Sequence, residues 1–280
     1  MTAFHRIADV GPRPKRRAGR RTVVRFYVAG LLAAAVSSPA SATEPCKPLS
    51  HAGHGYTICR FDAATDRIRV FHGNPNGTPY RTFDRLATAL RTSGETLVFA
   101  MNGGMYQDDR RPVGLLVIDG REIAPLNRSA WIGNFYLKPN GVFFVSDGRA
   151  GALETDAFRE QRLAPQFATQ SGPMLVIDGK LHPRFLVDAT SRNIRNGVGV
   201  SADGREVVFA ISTTPVTFHE FGSLFRDALK TPNALYLDGS ISRLYAPGIG
   251  RNDGGEDMGP IVGVVATPAE QPASSKGPTP

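Results

Sequence analysis

Two cysteines in 280 residues, with no CxxC pair and no settled membrane span, remove several classes of protein at the outset. A membrane-crossing helix needs roughly twenty apolar residues, whereas the apolar core of residues 26–36 supplies only eleven. No EF-hand loop, zinc motif, Walker loop or dinucleotide fingerprint occurs, so no cofactor and no metal is expected from motifs.

A lasting excess of charge is also missing. The formal net charge of +8 and pI of about 9.8 come almost wholly from the first 42 residues. That segment reads as an export signal: Arg16, Arg17, Arg20, Arg21 and Arg25, then the apolar core, then Ala40-Ser41-Ala42 as a small-residue cleavage site. It holds eight Lys and Arg against one Asp, which leaves 25 basic and 24 acidic residues downstream. A nearly neutral chain gives no support to a nucleic-acid partner. Periplasmic or secreted localisation follows, with no stable membrane span after signal cleavage. The adjacent Arg20-Arg21 leaves general secretory and twin-arginine export both open.

Residues 267–280 are rich in Pro, Ala and Ser without a large apolar side chain, and read as a disordered tail. Between the ends, residues 43–266 show no internal linker and form one expected domain. Cys46 and Cys59, thirteen residues apart, most simply form one disulfide in an oxidising compartment. His51 and His54 lie between them at HxxH spacing, in a Gly-rich setting that suits a surface loop better than a zinc site.

Strands dominate the pattern. Residues 115–118 and 174–177 are apolar runs ending in Asp119-Gly120 and Asp178-Gly179, a strong hairpin-turn dipeptide. Asn140-Gly141, Asp147-Gly148 and Asp203-Gly204 mark further turns around strands at 142–145 and 207–211, and a first strand is expected at 56–61. Helical spacing of Phe83, Leu86, Ala87 and Leu90, and of Phe218, Phe221, Leu224, Phe225 and Leu229, predicts helices at 82–91 and 217–230. The expected class is α+β, a mainly antiparallel or mixed β-sheet covered by a few amphipathic helices.

Four segments place polar residues beside glycine at strand ends: Asn102-Gly103-Gly104, Gln170-Ser171-Gly172-Pro173, residues 192–199 (RNIRNGVG) and Leu237-Asp238-Gly239-Ser240. One alone reads as a tight turn. Four in one domain point to a common pocket. Glycine lets a ligand or another backbone come close, and both uses are open for Gly103 and Gly104.

In order, NGGMY, QSGPMLVIDG, RNIRNGVGVSADG and NALYLDG resemble the phosphodiester glycosidase domain family over most of residues 97–247. A lysosomal member of that family removes N-acetylglucosamine from a sugar phosphodiester. The chain looks most like an exported bacterial branch. It departs after Asp238, where this chain reads LDGSISRLY against the animal pattern LDGGGSS, which bears on the sugar more than on the reaction.

The resemblance implies a hydrolase that cleaves the glycosidic bond of a sugar-1-phosphodiester, releasing sugar and a phosphomonoester. Arg192 and Arg195 would hold the phosphate oxygens through forked donors. Asp238 would steady positive charge on the sugar or activate water. Asn102, Gly103, Gly104, Ser171, Gly172 and Gly239 would line the substrate subsite. A plain turn role competes for Asp238 and Ser171, and a surface role for the arginines. Glu220 is expected to cap its helix. A non-catalytic exported module that binds phosphorylated or acidic envelope glycans is the competing function, and a divalent ion between Asp238 and substrate phosphate stays open.

Overall fold

Three Asp-Gly pairs lay down the hairpins from which the sheets grow. In the computed structural model, which describes residues 44–238 and 241–267, φ is positive at both residues of Asp119-Gly120 (49° and 73°), Asp147-Gly148 (49° and 71°) and Asp178-Gly179 (47° and 76°). Two successive positive φ values match the right-handed twist of the flanking strands. The turns join Leu116–Ile118 to Arg121–Ala124, Gly141–Ser146 to Arg149–Glu154, and Met174–Ile177 to Lys180–Leu181. The export signal of residues 1–42, the tail from residue 268, Gly239 and Ser240 lie outside the described residues.

All strand pairs among the described residues are antiparallel. A seven-stranded sheet runs in the order Cys46–His51, His54–Asp62, Glu206–Ser212, Asn196–Val200, Asn233–Tyr236, Met174–Ile177, Lys180–Leu181. A second sheet of five orders Arg251–Asn252, Leu244–Ala246, Thr96–Asn102, Ile261–Ala266 and Arg67–Phe71, and a third orders Arg121–Ala124, Leu116–Ile118, Phe167–Ser171, Gly141–Ser146 and Arg149–Glu154.

The inner faces of the three sheets share one core. Phe209 of the first sheet lies 4.8 Å from Phe99 of the second and 5.9 Å from Phe143 of the third, centroid to centroid. Tilted and edge-on pairs of this kind add to the area they bury. Strands buried on both faces need a cover on the outside, and the helices provide it. Helix α1 (Phe83–Thr92), capped by Thr82, packs Phe83, Leu86, Ala87 and Leu90 on the second sheet. Helix α2 (Thr155–Glu160), too short to show a period in the sequence, places Phe158 against Phe144 of the third sheet at 5.5 Å. Helix α3 (Phe218–Ser223) starts at a Thr217/Glu220 capping box and continues as a π-helical turn, Leu224–Ala228, burying Phe221, Leu224 and Phe225 on the seven-stranded sheet. The class is α+β, as the sequence predicts.

One expected turn is absent. Asn140 is fully buried, donating to the Phe135 carbonyl at 2.8 Å and accepting from Thr155 Oγ1 at 2.9 Å, and Gly141 opens a strand. Its side-chain amide closes the local bonds that a turn would otherwise make, and the glycine lets Met174 and the Leu153 carbonyl pass close to its α-carbon. The first predicted strand extends by a few residues, to His54–Asp62.

Cys46 and Cys59 face each other across the first hairpin with 4.0 Å between α-carbons and form the disulfide. A loop of this size constrains the unfolded chain by about 3 kcal/mol. Reduction is expected to lower the unfolding free energy by that order, read from urea midpoints with and without a thiol reductant. An unchanged midpoint would show that the hairpin is equally ordered in the unfolded ensemble.

Candidate functional site

The strands Thr96–Asn102 and Asn196–Val200 belong to different sheets, yet their end residues meet as a buried amide pair. Asn196 Nδ2 donates to the Asn102 carbonyl at 3.1 Å and to Asn102 Oδ1 at 3.0 Å. The Arg243 backbone N–H donates to the same Oδ1 at 2.9 Å, and Asn102 Nδ2 donates to the Ile241 carbonyl. Asn102 therefore fastens the chain that returns after Asp238, and its donors and acceptor are engaged by protein. Ser242 Oγ adds a bond to the Ile194 carbonyl at 2.9 Å.

The remaining two segments close on the same point. Ser171 Oγ donates to the Leu237 carbonyl at 2.8 Å, and the Leu237 N–H donates to the Asn196 carbonyl at 3.2 Å, so Asp238 emerges between Ser171 and Asn196. Thr169 Oγ1 donates to the Gly103 carbonyl at 2.6 Å. All four polar-glycine segments thus converge.

Asp238 is 5% exposed. Burial, and after it the Asp238 charge, pushes the Tyr106 hydroxyl up to about 12, while the Arg110 and Arg243 charges pull the other way. Burial likewise pushes Tyr236 up to about 12, with Asp238 adding to the rise and Arg195 opposing it. Both phenols remain protonated at neutral pH. One carboxylate, two phenols and the guanidiniums of Arg195 and Arg243 therefore occupy one neighbourhood.

Arg243, Tyr106 and Tyr236 were not singled out from the sequence, although Tyr106 ends the NGGMY run and Arg243 follows Asp238 by five residues. Arg243 is 8% exposed, and its guanidinium donates to the Glu256 carbonyl. An arginine immediately before a buried strand, Leu244–Ala246, was the available signal.

The predicted pairing of Arg192 with Arg195 as one clamp is not what the structure shows. Arg192 is partly exposed and makes a two-pronged pair with Glu220, Nη1 to Oε2 at 2.8 Å and Nη2 to Oε1 at 2.7 Å. Arg195 is 1% exposed. Its guanidinium lies 3.6 Å from the Phe218 ring centroid and donates to the Val216 carbonyl at 2.8 Å, the Ser191 carbonyl at 3.2 Å and Tyr236 Oη at 3.3 Å. Spacing of three residues brings two side chains together only on a helix or a suitable loop, and here Asn193 instead bridges to Val216 in extended form.

Of the two uses open to the glycines, close approach of other protein atoms is the one seen. A side chain at Gly103 would meet the Val262 nitrogen at 2.7 Å, at Gly104 the Thr169 hydroxyl at 2.6 Å, and at Gly172 the Asn140 Cβ at 2.6 Å. Protein fills the space beside them. Among the described residues no group of three His, Cys, Asp or Glu side chains comes together in a way that could hold a metal.

Burial raises the Glu220 carboxyl, but the Arg192 bonds, the Thr217 N–H and the charge of His54, whose Nε2 is 3.4 Å away, bring it down to about 2. A carboxyl depressed on folding stabilises the protein above its unfolded value of roughly 4.3 and loses that contribution as pH falls toward the folded value. Arg192→Ala is expected to raise the Glu220 pKa, read by carboxyl-carbon NMR, and so to lower stability at neutral pH while shrinking the part of it that is lost below the unfolded value; an unmoved Glu220 pKa would contradict this. Asn102→Asp, which sets an oxygen against the Ile241 carbonyl, is expected to cost about 3 kcal/mol in chemical denaturation. A cost under about 1 kcal/mol would remove the amide pair from its structural role.

The phosphodiester glycosidase family model, NAGPA, matches residues 95–265. The chain is 36% identical over 193 residues to YigE of Escherichia coli K12, an uncharacterized protein, covering 69% of this chain and 74% of YigE. The catalytic domain of zebrafish N-acetylglucosamine-1-phosphodiester alpha-N-acetylglucosaminidase has a similar fold, with a TM-score of 0.54 at 15% identity, covering 78% of this chain and 81% of that domain. A Burkholderia pseudomallei protein described as exported gives 0.50 at 12% identity, covering 75% and 74%. The matched stretch contains all four segments that meet at Asp238, and the chain belongs to the phosphodiester glycosidase family.

Proposed function

We propose that the protein is an exported hydrolase that cleaves the glycosidic bond of a sugar-1-phosphodiester, with Asp238 as the reacting carboxylate. The observation that carries this reading is the convergence of the four segments on buried Asp238 inside a phosphodiester glycosidase domain. Phosphate is a good leaving group, so the reaction needs less proton donation than an ordinary glycoside does. Cationic hydrogen-bond donors around the departing oxygens take the place of a strong general acid. Arg243 and, through its bond to Tyr236, Arg195 are assigned that role in this reading, while Arg192 is held by Glu220. Asp238 either faces the developing charge at the anomeric carbon or takes a proton from the attacking water. The bond between that carbon and the bridging oxygen breaks, water supplies the new hydroxyl, and the phosphomonoester leaves.

Asn102, Ser171, Gly103, Gly104 and Gly172 act in this scheme by fixing the position of residue 238. Export rests on the basic and apolar leader and on the disulfide, which suits an oxidising compartment. Among the described residues no helix is long and apolar enough to cross a membrane.

Phosphorus NMR of the protein with a panel of sugar-1-phosphodiesters, UDP-N-acetylglucosamine included, tests the reading. The expected result is free sugar appearing together with a phosphomonoester signal, or with UDP from the nucleotide sugar, and Asp238→Asn slows both by about a hundredfold to ten-thousandfold. Arg243→Gln is expected to slow them by about a hundredfold. Saturable binding without turnover across the panel would instead make the protein a glycan-binding module.

A further inference from the structure

Among the described residues the four most exposed large apolar side chains are Ile132 (88%), Val187 (79%), Trp131 (77%) and Leu186 (64%). They fall as two adjacent pairs on two loops whose bases touch. The first loop is held at its base by Lys138 Nζ, which donates to the Arg128 carbonyl at 2.8 Å, and by Asn127, which donates to the Val113 carbonyl at 2.8 Å. The second begins at buried His182, which lies against the Leu137, Lys138 and Pro139 backbone of the first, and turns where the Ala189 N–H donates to the Leu186 carbonyl at 3.3 Å. Fixed bases with bare apolar tips are unlike ordinary polar loops, and scattered single hydrophobics do not explain adjacent pairs.

The charges beside the tips narrow the occupant. Residues 126–138 carry Arg128 and Lys138 and no acid, and residues 182–192 carry Arg184 and Arg192 against Asp188 alone. Arg128 is paired with Asp156 and Arg192 with Glu220, whereas Lys138 and Arg184 pair with no carboxylate among the described residues. Trp favours the boundary between water and hydrocarbon, and Lys or Arg next to an inserted apolar tip reaches phosphate oxygens. A protein partner would call for a continuous apolar face with a polar rim; separate tips flanked by cations suit a deformable anionic surface.

We propose that these two loops dock the protein on an anionic phospholipid surface, with Trp131, Ile132, Leu186 and Val187 entering the headgroup layer and Lys138 and Arg184 facing lipid phosphates. The docking edge is continuous with the candidate site. Gln170, next to Ser171, accepts from the Asn127 N–H at 2.8 Å, and Ser191 in the second loop accepts from Arg195.

The chain has a single tryptophan, so its fluorescence reports on residue 131 alone. Vesicles of phosphatidylethanolamine and phosphatidylglycerol are expected to shift the emission of the full chain to shorter wavelength, and brominated acyl chains to quench it. Ile132→Ser and Val187→Ser are each expected to weaken vesicle co-sedimentation by about tenfold. Attachment through the apolar leader would leave the tryptophan unshifted and the two variants unchanged, which would overturn the proposal. An equal shift with phosphatidylcholine vesicles would overturn its anionic part. A shift that grows with protein concentration in the absence of lipid would assign the tips to self-association instead. None of these readouts depends on turnover, so the docking proposal and the proposed reaction fail separately.

Discussion

Two asparagine side chains from different sheets, Asn102 and Asn196, hold the candidate site together. Both are fully buried, and a buried amide stripped of its partners is costly. Each therefore constrains the other, and together they constrain the segment from Ile241 to Arg243. Asp238 precedes that segment in the chain and is fixed by Ser171 through Leu237. The three-sheet core around Phe209 supplies the rigid body on which such an arrangement keeps its geometry. A carboxylate held on strand ends is better placed than one on a free loop.

The departure from the animal family pattern after Asp238 acquires a structural sense. Ile241 packs against the α1 cluster and offers its carbonyl to Asn102, and Ser242 bonds to the Ile194 carbonyl. At position 241 a packed side chain stands where the animal pattern has a glycine, which would leave the returning chain looser. Arg243, directly after Ser242, is thereby carried to the vicinity of Asp238 and Tyr106.

The parts of the fold that local chemistry dictates were legible. Asp-Gly turns, the short disulfide loop and the apolar spacing of α1 and α3 each depend on residues close in sequence. Convergence of the four segments was legible too, because each ends a strand with a polar residue and a glycine. The use of each residue was not. Whether Gly103 makes room for a ligand or for the Val262 backbone depends on a strand more than 150 residues away, and Arg192 finds Glu220 28 residues downstream. Asn140-Gly141 has the composition of a turn, yet tertiary contacts with Phe135 and Thr155 decide otherwise. Arg243 carried no motif of its own. Its position is set by the bond between its backbone and Asn102, which no spacing rule reveals.

Whether residue 238 is where the glycosidic bond breaks is tested by a crystal structure of Asp238→Asn soaked with a sugar-1-phosphodiester. The anomeric carbon is expected within about 3.5 Å of the residue 238 side chain, with phosphate oxygens on the Arg243 or Arg195 side. Diester bound instead in the groove between Tyr80 and Arg121, with residue 238 bare, would contradict it.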